Sequence, residues 1–275
     1  MTRSKCQKLP TMVIIAALSL VATVAQSATP FEQGWQAYQR GDFKGALTQW
    51  KPLAEKGDSK ALFNIGVMYD EGRGVAQSQA DAIVWWEKAA DAGNLHAKHN
   101  LGLAYLNGEG VGKDYDLAIF WLGEAASDGL NRSQYSLGKI YGAGLGNIIQ
   151  DDKVSFILIS MAAKSGFDKA QYNVGKMYRD GRGVAKDVEA SARWFLMAAK
   201  QGYAKAQRNL GRCYMRGEGV KRDEAAALMW FSLAAKGGAT GAAKNRDALA
   251  AKLPETIRQK VDGKVRNWRP SLVRQ

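Results

Sequence analysis

Only two histidines occur in the 275 residues, His96 and His99. On a helix that spacing puts both imidazoles on one face, where a third ligand would complete a metal site. No cysteine, further histidine or carboxylate pair at ligand spacing accompanies them. Neither a metal site nor a cofactor is therefore expected, and no other histidine is free to act as a general base. Ser136-Leu137-Gly138-Lys139 spells S-x-x-K, the nucleophile motif of penicillin-recognising enzymes, but no S-D-N or K-T-G follows it. The G-x-G segments lack the preceding strand and following lysine of a phosphate-binding loop. A cell-envelope enzyme acting on peptidoglycan or β-lactam-related material has only that S-x-x-K behind it. The chain reads as a non-enzyme, with no catalytic residue assigned.

A second set of residues carries binding chemistry. Five triplets recur along the chain: Lys60, Asn64 and Val67; His96, Asn100 and Leu103; Arg132, Ser136 and Lys139; Lys169, Asn173 and Lys176; Lys205, Asn209 and Arg212. An asparagine amide can pair with the amide groups of an extended peptide, and lysine or arginine can hold carboxylates. The set is polar and basic in its last three triplets and more apolar in the first two. The candidate contacts are Asn64, Asn100, Lys139, Asn173, Lys176, Asn209 and Arg212, and the partner they predict is a protein or peptide bearing acidic groups. The competing reading is an ordinary solvated helix face, where lysine is common anyway.

What positions these triplets is an internal repeat. Gly57, Gly93, Gly129, Gly166, Gly202 and Gly238 are separated by 36, 36, 37, 36 and 36 residues, and Gly66, Gly102, Gly138, Gly175 and Gly211 follow the same period. Each unit reads as two helices. The first is expected to begin at Ala61, Ala97, Ser133, Ala170 or Ala206. An apolar residue, the second-series glycine and a tyrosine (Tyr69, Tyr105, Tyr141, Tyr178, Tyr214) then follow on one face. A mid-helix glycine costs about 1 kcal/mol against alanine, so its recurrence predicts a neighbouring helix packed against bare backbone. Gly72-Arg73-Gly74-Val75 and its counterparts at 108–111, 181–184 and 217–220 end the first helix, and Ser78, Asp114, Asp187 and Asp223 are the expected N-caps of the second. That second helix carries Trp86 (one residue late), Trp121, Trp194 and Trp230, expected to fill the space left by small residues, and then an alanine pair. The third unit is degenerate, with one extra loop residue and Leu158 for tryptophan, which predicts a local change of curvature.

This pattern resembles the Sel1-like repeat, a relative of the tetratricopeptide repeat, over five consecutive units spanning about residues 58–238. The resemblance implies an all-α solenoid of stacked antiparallel helix pairs, with the free face of each first helix lining a concave groove. The triplets lie opposite the core face and would form a ladder along that groove. Some cysteine-rich secreted members have been linked to β-lactam binding; this chain lacks their paired cysteines. Residues 29–57 look like a tetratricopeptide-type cap, and 239–275 like C-terminal capping helices, with Pro254 opening the last and Ile257, Val261, Val265 and Trp268 forming its apolar stripe. That end carries Lys252, Arg258, Lys260, Lys264, Arg266, Arg269 and Arg274 against Glu255 and Asp262, a net +5.

Residues 1–28 read as a Sec-type signal peptide: Arg3, Lys5 and Lys8, an apolar run from Met12 to Val24, and small residues at Ala25, Ser27 and Ala28. An uncleaved anchor is the alternative, although the run is short for a span. Removing three basic residues leaves +13 − 3 = +10, which favours anionic partners. A periplasmic or secreted monomer with no stable membrane insertion is expected, and export argues against nucleic acid. An exported regulator or host-interaction factor fits the same features. Cys213 would be the single remaining cysteine, so no internal disulfide is possible; its slot predicts a buried, inert thiol.

Overall fold

The computed structural model describes residues 28–271. The signal-peptide reading and Arg274 therefore fall almost entirely outside the described residues. Fourteen helices follow one another, with no strand among the described residues: α1 Pro30–Gln39, α2 Phe43–Glu55, α3 Ser59–Glu71, α4 Gln79–Asp91, α5 Leu95–Asn107, α6 Tyr115–Ser127, α7 Asn131–Ala143, α8 Asp152–Lys164, α9 Asp168–Asp180, α10 Val188–Lys200, α11 Ala204–Arg216, α12 Glu224–Lys236, α13 Ala242–Ala250 and α14 Glu255–Asn267. Each helix from α1 to α13 packs chiefly on its chain neighbours, which makes an all-α solenoid of antiparallel pairs. No helix among the described residues is long and apolar enough to cross a membrane.

The second helices start where their side chains say they should. Ser78, Asp114, Asp187 and Asp223 each accept a hydrogen bond from the backbone N–H three residues on. Asp151 does the same after the irregular third loop. The first helices end on Gly72, Gly108, Gly144, Gly181 and Gly217, all left-handed. They begin two residues earlier than the alanines suggest, which places those alanines inside the first turn. Asp58 and Asn94 cap the starts of α3 and α5 through their side chains. The starts of α7, α9 and α11 have Leu130, Phe167 and Tyr203 at that place and no side-chain cap.

Those three uncapped units hold on to the preceding repeat by another means. Gln134, Gln171 and Gln207 are buried, and each donates from Nε2 to the carbonyl of Ala126, Ala163 or Ala199 at 3.1–3.2 Å. These carbonyls lie in the last turn of the preceding helix, where intrahelical donors run out. Gln201 Nε2 donates to Gln171 Oε1 at 2.8 Å, extending the relay, whereas the buried Gln134 Oε1 has no partner.

The recurring mid-helix glycines do bring two helices together. The side chains that meet Gly66, Gly102, Gly138, Gly175 and Gly211 are Trp86, Leu122, Ile159, Phe195 and Phe231. The tryptophan slot proper is Trp85, Trp121, Leu158, Trp194 and Trp230, one residue earlier; Trp86 is in register with the glycine-contacting residues. A Cβ on Gly66 would lie 2.5 Å from the Trp86 indole, so the bare backbone is required.

The buried core is not uniform along the solenoid. An extended cluster runs from Ala37 to Ala104, and another binds α10 to α14, including Val261 and Val265. Two smaller clusters lie between them, one of seven buried residues around Val174 and one of four around Leu137. The C-terminal stripe docks α14 on α12, and Pro254 caps that helix rather than opening it.

Candidate functional site

Three clefts open along the first helices, and the asparagine slot runs through all of them. Asn64 lines the first, with Phe31, Trp35, Phe63 and His96. Asn100 lines the second, with Asp70, Trp86 and Glu109. Asn173 lines the third, with Lys139, Lys176, Asp180 and Arg182. From α3 to α9 the lining of these clefts changes from aromatic through acidic to basic.

The third cleft, a cavity of about 100 Å³, brings Lys139, Asn173 and Lys176 together. Arg182 joins them, tied to Asp152 at 2.8 Å and to the Gly142 carbonyl. Lys139 and Lys176 make no ion pair among the described residues; Lys176 lies 5.8 Å from the Tyr172 ring centroid. Burial and then Arg179 hold the Lys176 ammonium below its usual range, Lys139 and Arg182 add to this, and Asp180 opposes it. A lysine crowded by other cations in a half-buried cleft favours an incoming carboxylate.

The asparagines differ. Asn173 donates to Tyr135 Oη at 3.0 Å and to the Lys169 carbonyl at 2.8 Å. Asn209 is buried, donates to the Lys205 carbonyl at 2.9 Å and accepts from Arg179 Nη1 at 3.3 Å. It is a structural residue rather than an open contact, because Arg179 from the preceding unit lies over it. Asn64 and Asn100 make no side-chain hydrogen bond among the described residues and remain half-buried in their clefts. Arg212 is half-buried and lines none of the three clefts.

Asp70, Glu109, Arg182 and Trp86 were not anticipated as cleft residues. Glu109 and Arg182 occupy the same position, the residue between the two glycines of the G-x-G turn. The alternation of Arg73, Glu109, Arg182 and Glu218 at that position is the sequence signal that could have found them.

His96 and His99 do not form a metal pair. His99 Nδ1 is hydrogen-bonded to Ser133 Oγ at 2.8 Å, and burial, then Arg132 and His96, lower its pKa to about 4. His96 faces the Phe63 ring at 5.8 Å. No group of three His, Cys, Asp or Glu side chains converges on a metal position among the described residues. Cys213 is buried, and burial pushes its thiol up to about 11. Ser136 and Lys139 lie on α7 within the repeat's own x-L-G-x pattern.

Helix pairs of one length, joined by glycine turns and stacked with a continuous first-helix face, define a solenoid repeat scaffold. The chain belongs to the Sel1 repeat family, whose profile matches residues 59–94, 95–130, 131–167, 168–203 and 204–238. Among solved structures it is similar to a protective antigen present in uropathogenic Escherichia coli strains and displaying an SLR fold. That likeness has 30% identity and a TM-score of 0.77, over 87% of this chain and 52% of that one. The chain thus spans about half the length of that protein. It is also similar to a Sel1 repeat protein from Oxalobacter formigenes, at 28% identity and a TM-score of 0.72, over 86% of this chain and 96% of that one. No curated protein matches it. Family and architecture together make it a non-enzymatic repeat scaffold of the kind that mediates protein interactions.

Proposed function

We propose that this chain is an exported scaffold that holds an acidic or carboxylate-bearing peptide segment in the concave groove along its first helices. The observation that carries the reading is the convergence of Lys139 and Lys176, neither in an ion pair among the described residues, beside Arg182 and Asn173 in one cleft. Asn64 and Asn100, with free amides further along the same face, would pair with the segment's main chain. Arg212 contributes to the field of the basic end rather than to the cleft. The export part rests on the n-region, apolar run and small residues of 1–28. The division into 1–28, 29–57, 58–238 and 239–275 follows from that signal and from the repeat limits.

A labelled hexaglutamate peptide is the direct probe. Lys139→Glu, Lys176→Glu and Arg212→Glu together should weaken its binding by about tenfold or more, with the melting temperature little changed. Unchanged affinity would remove the groove assignment. A photoreactive residue in place of Lys176, used in intact cells, would capture the natural partner. The likeness to a protective antigen favours a second reading, a factor that meets a host. It differs in partner rather than in physics, and crosslinking in cells versus culture supernatant separates the two.

A further inference from the structure

The cleft between the first two repeats carries chemistry opposite to that of the basic one. Asp70 from α3 and Glu109 from the G-x-G turn after α5 face a common cavity of about 180 Å³ with Asn100, Gln79 and Trp86. In a chain of net charge +13, neither carboxylate is in an ion pair among the described residues. Glu109 takes only a hydrogen bond from the Asn107 amide, at 3.1 Å. Burial, then Glu71 and Glu109, raise the Asp70 pKa, so the two acids oppose one another with no cation to relieve them. The second observation is independent of charge. Trp86 is only 6% exposed, lines the same cavity, and its indole N–H has no partner. That N–H lies against the Gly66 backbone, so a ligand in the cavity meets the ring rather than the donor.

We propose that this cleft is a recognition pocket for an arginine side chain of the bound segment. The guanidinium would donate to Asp70, Glu109 and the Asn100 amide oxygen, beside the Trp86 ring in the cavity wall. A guanidinium presents five donors in a planar fork, which suits two carboxylates and an amide oxygen better than a single ammonium does. The inference extends the groove reading. The segment is then bipolar, with a basic residue at the first two repeats and an acidic one at the third and fourth, and this order fixes the direction in which it lies.

The test uses the full chain with ¹⁵N-labelled tryptophan, Trp86→Phe identifying the relevant indole signal. N-acetyl-arginine amide should move that signal with a Kd on the order of 1 mM, as expected for so small a ligand. The uncharged N-acetyl-citrulline amide should not move it. Asp70→Asn with Glu109→Gln should weaken the response about tenfold or more while leaving the circular dichroism unchanged. No response, an equal response to citrulline, or an undiminished response in the double variant would overturn the pocket. A stronger response to calcium than to the arginine amide would overturn it in favour of a metal ion. Hexaglutamate binding, measured on the same variants, keeps the two ideas apart. If it persists while arginine fails, the pocket is wrong and the groove stands. If arginine binds while hexaglutamate does not, the groove's acidic preference is wrong and the pocket stands.

Discussion

The first two repeats and the last three solve one structural problem in two ways. At the start of each first helix, Asp58 and Asn94 satisfy backbone donors through their own side chains. Leu130, Phe167 and Tyr203 do not, and in their repeats a buried glutamine reaches back to the preceding helix instead. The cap itself is local, although Asn94 also donates from Nδ2 to the Ser59 carbonyl of the preceding repeat at 3.0 Å; the glutamine device exists only when neighbouring repeats are docked. The same division appears in the groove. Asn64 and Asn100 keep their amides free, whereas Asn173 and Asn209 commit theirs to hydrogen bonds within the solenoid. Similar backbone units thus give an N-terminal half with open polar contacts and a C-terminal half whose polar groups knit the repeats together.

The sharpest way to break this contrast is at the turns. Gly183 has φ +72°, and a Cβ there would lie 1.9 Å from the Asp152 carbonyl oxygen, beside the Arg182–Asp152 pair. Gly74, at the same place in the first repeat, has φ +74° and would meet the Phe43 side chain at 2.7 Å, a softer contact. Gly183→Ala should therefore cost ~3 kcal/mol or more and Gly74→Ala about 2 kcal/mol, read from urea midpoints at unchanged slope. The next effect lies where the halves meet. His99 has its folded pKa lowered to about 4. As pH falls below the unfolded value of ~6.5, the unfolded chain takes up a proton that the folded chain refuses, so stability declines until about pH 4. The loss should be on the order of 2 kcal/mol, and His99→Gln should flatten the profile across that window. The smallest effects compare the ladder's own ends. Asn209→Ala should cost about 1–2 kcal/mol by releasing Arg179 and the Lys205 carbonyl, while Asn100→Ala should change stability by less than about 0.5 kcal/mol. Equal losses at Asn209 and Asn100 would erase the distinction between the halves.

Much of the architecture was legible because its signals are local. Glycine spacing gave the period, Asp114 and its counterparts gave the starts of the second helices, and the Ile257–Trp268 stripe gave the docking of α14. The starts of α7, α9 and α11 were harder to read, because their partner is a carbonyl in another repeat rather than a nearby cap. The mid-helix glycines announced a close helix contact without saying which side chain makes it, and helix geometry delivers Leu122, Ile159 and Phe195 to the bare backbone. Asn209 looked open because offsets along one helix cannot show Arg179 lying across it. The acidic cleft joins α3 to the turn after α5, so neither carboxylate marks it alone.

The unpaired Gln134 Oε1 has a consequence for how the molecule comes apart. Each repeat is held by its neighbours, so global stability is a chain of interfaces, and unfolding starts at the weakest. At α7 the amide relay is incomplete and the buried cluster is down to four residues. These two features predict a soft joint at α7, and faster amide exchange there than in the flanking repeats would be its signature. A segment that reaches from Asp70 and Glu109 to Lys139 and Lys176 crosses it. Such a segment would act as a splint across the α7 joint.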